Sequence, residues 1–455
     1  MRQKRDAVLC FEWSGNASEL KIVTAHRRKY KSISAILDKN PAILDLADRD
    51  LRALSQGGRK GRRGDFTSEN LLRALIVHTI EGEDLRGTIV RIAESPFLQD
   101  FLRLGDRAVM DFTFLDRAFN AIRPETWKRI NEALATDARE QKLMDPSAIR
   151  VDTTVVETTI HYPTDSSLLW DSWRVLARLL RQGRERIPTL CPHRFHDALV
   201  KRAFLRITRY AQSPAKSRRR LVKSCWRELI AHVRWIVGIA EAFVAESRRH
   251  ADLAVQAVGM EMEPYLPSIR VVVSTAERAN LKGEKVRASE RVFSLFEPHT
   301  ELIKRGKARR PVEFGHVIRL SQTRQKFICD YEVMEHRVPD PELTEVCVDE
   351  HERVFGEPPD GMTGDMGMNP KAETRAALEA RVRMLAIPRR LSDWVEKIGS
   401  LWQRFRAGIE GTISVLKRAY RLLRCPYRGF KNFASSVGLS IFCHNLVLLA
   451  GPPGR

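Results

Sequence analysis

Two tracts of this sequence carry the two-residue period of a strand, 148–156 and 311–335. A long tract of helical spacing separates them, from Pro163 to about 289. A single sheet built from both tracts must therefore be assembled across a large helical insertion. In the first tract Ile149, Val151, Thr153 and Val155 alternate with Arg150, Asp152, Thr154 and Val156, which predicts a strand. In the second, Val312, Phe314, His316, Ile318 and Leu320 fall on one face, and Glu313, Gly315, Val317 and Arg319 on the other. A further β-rich run spans 326–335, and the polar stretch Ser321 to Gln325 between the two runs predicts a hairpin. Asp340 to Phe355 reads as a helix broken by Pro358 and Pro359. Short strands follow at 360–365 and 384–387, and a long helix runs from Leu391 or Trp394 to Leu423. The order is strand, strand, strand, helix, strand, strand, helix, an α/β pattern.

The chain before the first strand is different. Residues 1–55 show no clear period, and residues 57–64 form a basic, glycine-rich linker in which Arg62 and Arg63 are candidate phosphate contacts. Thr67 predicts a helix N-cap, with Asn70 at the third position. Helical patterns over 71–80, 84–94 and 111–121, and a helix opened by Pro124, make 65–146 an all-helical unit with room for a DNA-reading helix. The expected domains are 1–64, a segment with the basic linker; 65–146, helical and DNA-binding; 147–164 with 290–450, catalytic; and 165–289, the helical insertion.

Composition narrows the partners. The 455 residues include 78 Lys and Arg against 57 Asp and Glu, a net charge of +21 that favours nucleic acid. None of the seven cysteines forms a CxxC pair, which disfavours a zinc ribbon. The N-terminus lacks a continuous apolar region, and the apolar stretch 439–451 is interrupted by His444 and Asn445 and falls short of the ~20 residues of a spanning helix. The expectation is a soluble cytoplasmic protein with no membrane partner.

The last long helix carries the chemistry. Trp402, Ile409, Ile413, Leu416, Tyr420 and Leu423 predict its buried stripe. Gln403, Arg406, Glu410, Lys417, Arg421 and Arg424 make a second row, one carboxylate among cations. On spacing alone this is an ordinary amphipathic helix with i,i+4 ion pairs. Yet Arg406-x3-Glu410-x6-Lys417 resembles the Tyr-x2-Arg-x3-Glu-x6-Lys motif of the DDE transposases of bacterial insertion sequences. The segments RFRAGIEGTISVLKRAYRL, RVDTTVVETTIHYPTDSSLLWDSWRVL, FEPHTELIKRGKARRPVEFGH and TGDMGM resemble the ISNCY group in particular. The likeness runs from about residue 65 to the end, with Gln403 where the family has its Tyr.

The resemblance implies a ribonuclease H-like catalytic domain, a mixed sheet flanked by helices, interrupted by the helical insertion. It assigns the three catalytic, metal-binding acids to Asp152 on the first strand, Asp365 just past the fourth, and Glu410 on the last helix. Clustered carboxylates repel one another, and two Mg²⁺ or Mn²⁺ ions relieve that repulsion. Arg406, Lys417 and Arg421 are the expected DNA contacts beside them. The implied activity is cleavage at the terminal inverted repeats of an element and transfer of the freed 3′-hydroxyl to target DNA, by a homodimer or higher oligomer. Two alternatives stand beside it: a non-catalytic repressor derived from such an enzyme, and a structure-selective nuclease. Asp165 is expected to cap the next helix, and Glu313 and His316 to serve the core or sheet surface.

Overall fold

The computed structural model describes residues 3–5, 20–55, 66–189, 191–304 and 311–451. The basic linker, with Arg62 and Arg63, lies outside the described residues. The chain divides into two compact units, Met1–Thr159 with Gly315–Arg455, and Ile160–Phe314.

The first unit opens with helices α1 (Lys21–Lys39), α2 (Pro41–Leu51), α3 (Ser68–Glu81), α4 (Leu85–Glu94), α5 (Pro96–Leu102), α6 (Phe112–Ala121) and α7 (Pro124–Glu140). The first two occupy sequence that showed no clear period. Local chemistry sets their ends. The Thr67 hydroxyl accepts from the Asn70 N–H (3.1 Å), and the Asn70 side chain accepts from the Thr67 N–H (2.8 Å). Asn thus completes a capping box that usually takes Glu or Gln. Asp84, Ser95 and Asp111 cap α4, α5 and α6, and α7 starts on Pro124. These helices were expected as a domain apart. They instead share one unit with the sheet, because α7 packs on the sheet and on the last helix of the chain.

Strand β1 (Ala148–Thr158) enters the sheet. The second unit follows, with α8 (Asp165–Arg186), α9 (Asp197–Tyr210), α10 (Lys216–Ser247), α11 (Leu253–Met262), α12 (Tyr265–Asn280) and β2 (Glu301–Lys304). Its core is a helical one, with Leu176 and Leu180 of α8, Leu229, Val233 and Ile236 of α10, and Ile269 of α12 all buried. Thr164, paired with Ser167, caps α8. Asp165 is not the cap: it is the first helical residue, bound to Arg291 (2.6 Å) and Asn280 (2.8 Å).

The chain returns to the first unit as β3 (Val312–Thr323), β4 (Ile328–Val333), α13 (Leu343–Phe355), β5 (Gly361–Thr363), α14 (Ala372–Arg381), β6 (Met384–Ala386), α15 (Ser400–Ala419), β7 (Arg424–Cys425) and α16 (Phe430–Leu449). The strands lie in the order β2-β3-β1-β5-β6, with β4 also paired to β3 and β7 on the far end of β1. β3 is antiparallel to both β1 and β4, whereas β5 is parallel to β1 and β6 to β5. Both faces of β3 are covered from Gly315 to Thr323, as a central strand requires. His316 is accordingly a core residue, its Nδ1 on the Met334 carbonyl (2.9 Å) and its ring against Phe430 and Phe433.

The apolar late stretch begins earlier than expected. α16 is a 20-residue helix of mean hydropathy 1.4, long and apolar enough to cross a membrane, but 78% of its most apolar stretch is buried within the protein. It packs against α7 and α3. Near its end, the Asn445 side chain accepts from the Ile328 N–H (3.0 Å) and donates to the Ile328 carbonyl (2.8 Å) and to Asn131 (2.8 Å). The backbone of Ile328, where β4 begins, is satisfied in this way. Asn445→Leu leaves a buried N–H unpaired and is expected to cost about 1–3 kcal/mol, read as a lower urea midpoint at unchanged slope.

Candidate functional site

β1 and β5 run side by side in parallel, with Ala148 opposite Gly361, Ile149 opposite Met362 and Arg150 opposite Thr363. Continued by two residues, that register sets Asp152 beside Asp365. Asp152 is still within β1, opposite Leu320 of β3. Asp365 has just left β5, where Gly364 and Gly367 flank it and its carboxylate caps a short turn by accepting from the Met368 N–H (3.1 Å).

Helix α15 lies on β1 and β5. Two glycines let it come close. A Cβ at Gly361 would stand 2.2 Å from the Trp402 ring, and one at Gly408 would stand 2.0 Å from Nη1 of Arg150. Arg150 is buried. It donates to the Gln322 side chain (2.7 Å) and to the Phe405 carbonyl (2.7 Å), and its guanidinium lies 5.0 Å from the centre of the Phe405 ring. Burial lowers its pKa to about 10. Arg150 fastens α15 to β1 two residues before Asp152. Sequence reasoning missed this role, although a lone Arg within a strand that closes a sheet's centre was a visible signal.

Ile409, Thr412 and Leu416 are the buried face of α15. Glu410, next to Ile409, is 64% exposed and pairs with Arg406 one turn earlier (3.1 Å). The expected longer helix is broken at Gly399, where φ is +89°, and stops at Ala419. This corrects the second row. Arg421, with φ of +62°, lies past the helix and donates to the Glu83 carbonyl. Its charge helps lower His78, whose pKa burial chiefly pulls down to about 3. Arg424 pairs with Glu157 (2.7 Å). Leu423, assigned to the buried stripe, is 54% exposed. Lys417 stays on α15, half-buried, about two turns beyond Glu410. Gln403 is exposed on the same helix.

Asp152 senses the other two acids. Asp152 is half-buried, and its carboxyl is raised to about 6, first by burial. The charges of Asp365 and Glu410 push the same way, while the Thr153 N–H (2.7 Å) and Arg406 oppose them. These side chains therefore share one electrostatic neighbourhood. Among the described residues, however, no three His, Cys, Asp or Glu side chains are gathered closely enough to hold a metal ion. Glu410 is engaged by Arg406 instead.

A carboxyl whose folded pKa, about 6, exceeds its ordinary 3.8 disfavours folding once ionised. The loss is absent below about pH 4, grows between the two values and is complete above about pH 6. Asp152→Asn is thus expected to raise the melting temperature of the metal-free protein at pH 7.5, by about 1–3 kcal/mol of stability, and to leave it unchanged near pH 3.5. Melts in a chelating buffer at the two pH values check this.

The chain matches no protein-family model, no curated protein and no solved structure.

Proposed function

We propose that the chain is a DDE-type DNA transposase whose catalytic acids are Asp152, Asp365 and Glu410. The observation that carries this reading is the β1–β5 register, which aligns Asp152 with Asp365 under the helix that bears Glu410, together with the response of Asp152 to both other charges. A mixed sheet flanked by helices, with one acid on β1, one just past β5 and one on α15, is the arrangement the ribonuclease H-like reading requires.

The donor set fits hard cations. It is oxygen-only, which favours Mg²⁺ or Mn²⁺ over zinc, and the Asp152 carboxyl, raised first by burial and further by the charges of Asp365 and Glu410, is one that a cation would help to ionise. Asp152 and Asp365 would hold the ions from the sheet, and Glu410 would join them by turning away from Arg406. Its exposure leaves that side chain free to rotate. Two such ions supply activation of the attacking oxygen and stabilisation of the leaving oxygen in an in-line phosphoryl displacement. Arg406, released from Glu410, is then placed to hold a phosphate, with Lys417 further along the helix. Arg150 and Gly408 keep α15 at the height the acids need. Water is the first nucleophile and the freed 3′-hydroxyl the second, so no covalent protein–DNA link forms. Joining two element ends to target DNA calls for a homodimer or larger assembly on the DNA.

The test uses the full-length protein with duplex DNA from the two flanks of its coding sequence. Mg²⁺- or Mn²⁺-dependent nicking at a discrete site, followed by joining of a pre-cut end to a plasmid, is the expected result. Cutting without joining would make it a nuclease, and binding without cutting a repressor.

A further inference from the structure

Trp235 of α10 is 43% exposed, yet its inner side is anchored. Its ring stacks on Trp173 at 6.2 Å between centroids and 21° between planes. His193 (5.5 Å) and Phe195 (6.1 Å) meet it edge-on. Trp173 is itself buried, and its indole N–H donates to Asp197 (2.8 Å). Arg181 donates to the same carboxylate (2.7 Å) and holds its guanidinium 5.6 Å from the centre of the Phe195 ring. Arg184 donates to the His193 carbonyl (3.1 Å). A large aromatic ring is thus anchored by three other rings while much of it stays open to solvent.

The surroundings name the class of ligand. His193 and Phe195 lead directly into α9, whose Lys201, Arg202, Arg206 and Arg209 are all exposed. Residues 193–223 hold ten Lys and Arg against the single acid Asp197, and residues 160–314 hold 30 against 16. Such a charge balance repels a basic protein partner and attracts a polyanion. α9, about 20 Å long, offers phosphate contacts over several nucleotides. A partly exposed indole ring near the start of α9 offers what a phosphate chain alone does not use: apolar aromatic surface for a flat, unpaired base. Bases inside a duplex have no free face to give.

We propose that Trp235 is a stacking platform for an unpaired nucleobase of DNA, with the sugar–phosphate chain running along the cations of α9. The proposal rests on the reading that the chain handles DNA. It is tested by equilibrium binding of the full-length protein to a duplex with a short single-stranded thymidine tail and to the same duplex with blunt ends. Wild type is expected to prefer the tailed DNA. Trp235→Ala should weaken tailed binding about tenfold and leave blunt binding unchanged, and Trp235→Phe should keep most of the preference. Trp235→Ala binding both DNAs as wild type does would overturn the platform alone. An equal loss on both would make Trp235 a structural residue and overturn it too. Wild type failing to bind either DNA would instead sink the DNA reading beneath it.

Discussion

Asp152→Ala, Asp365→Ala and Glu410→Ala are each expected to abolish metal-dependent strand cleavage while DNA binding persists. The expected loss is on the order of 10³-fold or more, because even an outer partner of a metal ligand is worth 10–100-fold and the proposed reading makes these the ligands themselves. The three should not behave alike in the absence of metal. Asp152 is half-buried beside two other acids, so its removal relieves repulsion. Glu410 is exposed and paired only with Arg406 at the surface, so its removal leaves stability nearly untouched. Cleavage by any of the three at the wild-type rate would end the catalytic assignment. Single-turnover cleavage of flank DNA, with binding measured in parallel, decides it.

Gly408→Ala is the second large effect. The new Cβ would fall 2.0 Å from Nη1 of Arg150, and that guanidinium cannot step aside, since Gln322 and the Phe405 carbonyl hold it at 2.7 Å each. The helix must lift. The strain is expected to cost about 1–3 kcal/mol. Displacing Glu410 by even an ångström should lower cleavage by about 10²-fold. Gly411→Ala is the internal control: nothing lies within 4 Å of its Cβ position, so the added methyl should stabilise α15 by up to about 1 kcal/mol with cleavage intact. Equal behaviour of the two variants would show that α15 does not rest on Arg150 as described.

Much of the sheet was legible, for a definite reason. β1, β3 and β4 are long enough to show a two-residue period, and their predicted centres pair in register. β5 and β6 are three residues each, too short for any period, and were found only through the Gly and Pro residues that bracket them. α14 was missed because its apolar residues are all alanine but for Leu378, and it buries little beyond Arg375 and Leu378. α1 and α2 were missed for want of a cap, as neither has a side-chain bond at its N-terminus. Glu410 was placed on the right helix by counting turns, but counting carried the row too far. It could not register that the helix ends at Ala419, where the chain turns left-handed at Arg421. Arg150 stood out as a cation within a strand, but what it fastens did not, because its partners, Gln322 and Phe405, come from distant parts of the sequence and are joined only by the fold.

The seam where the second unit leaves and rejoins the sheet has a kinetic consequence. Glu157 pairs with Gly315, so β1 must wait for a partner translated more than 150 residues later, and for β5 longer still. At ribosomal speeds of ~5–20 residues per second, the nascent strand stays unzipped for roughly 10–30 s. The helices of the intervening unit, which bury a core of their own, can set during that interval, and the sheet closes last. Any delay there leaves two apolar ribbon edges open to neighbouring chains, which makes this junction the point at which overexpressed protein would go astray.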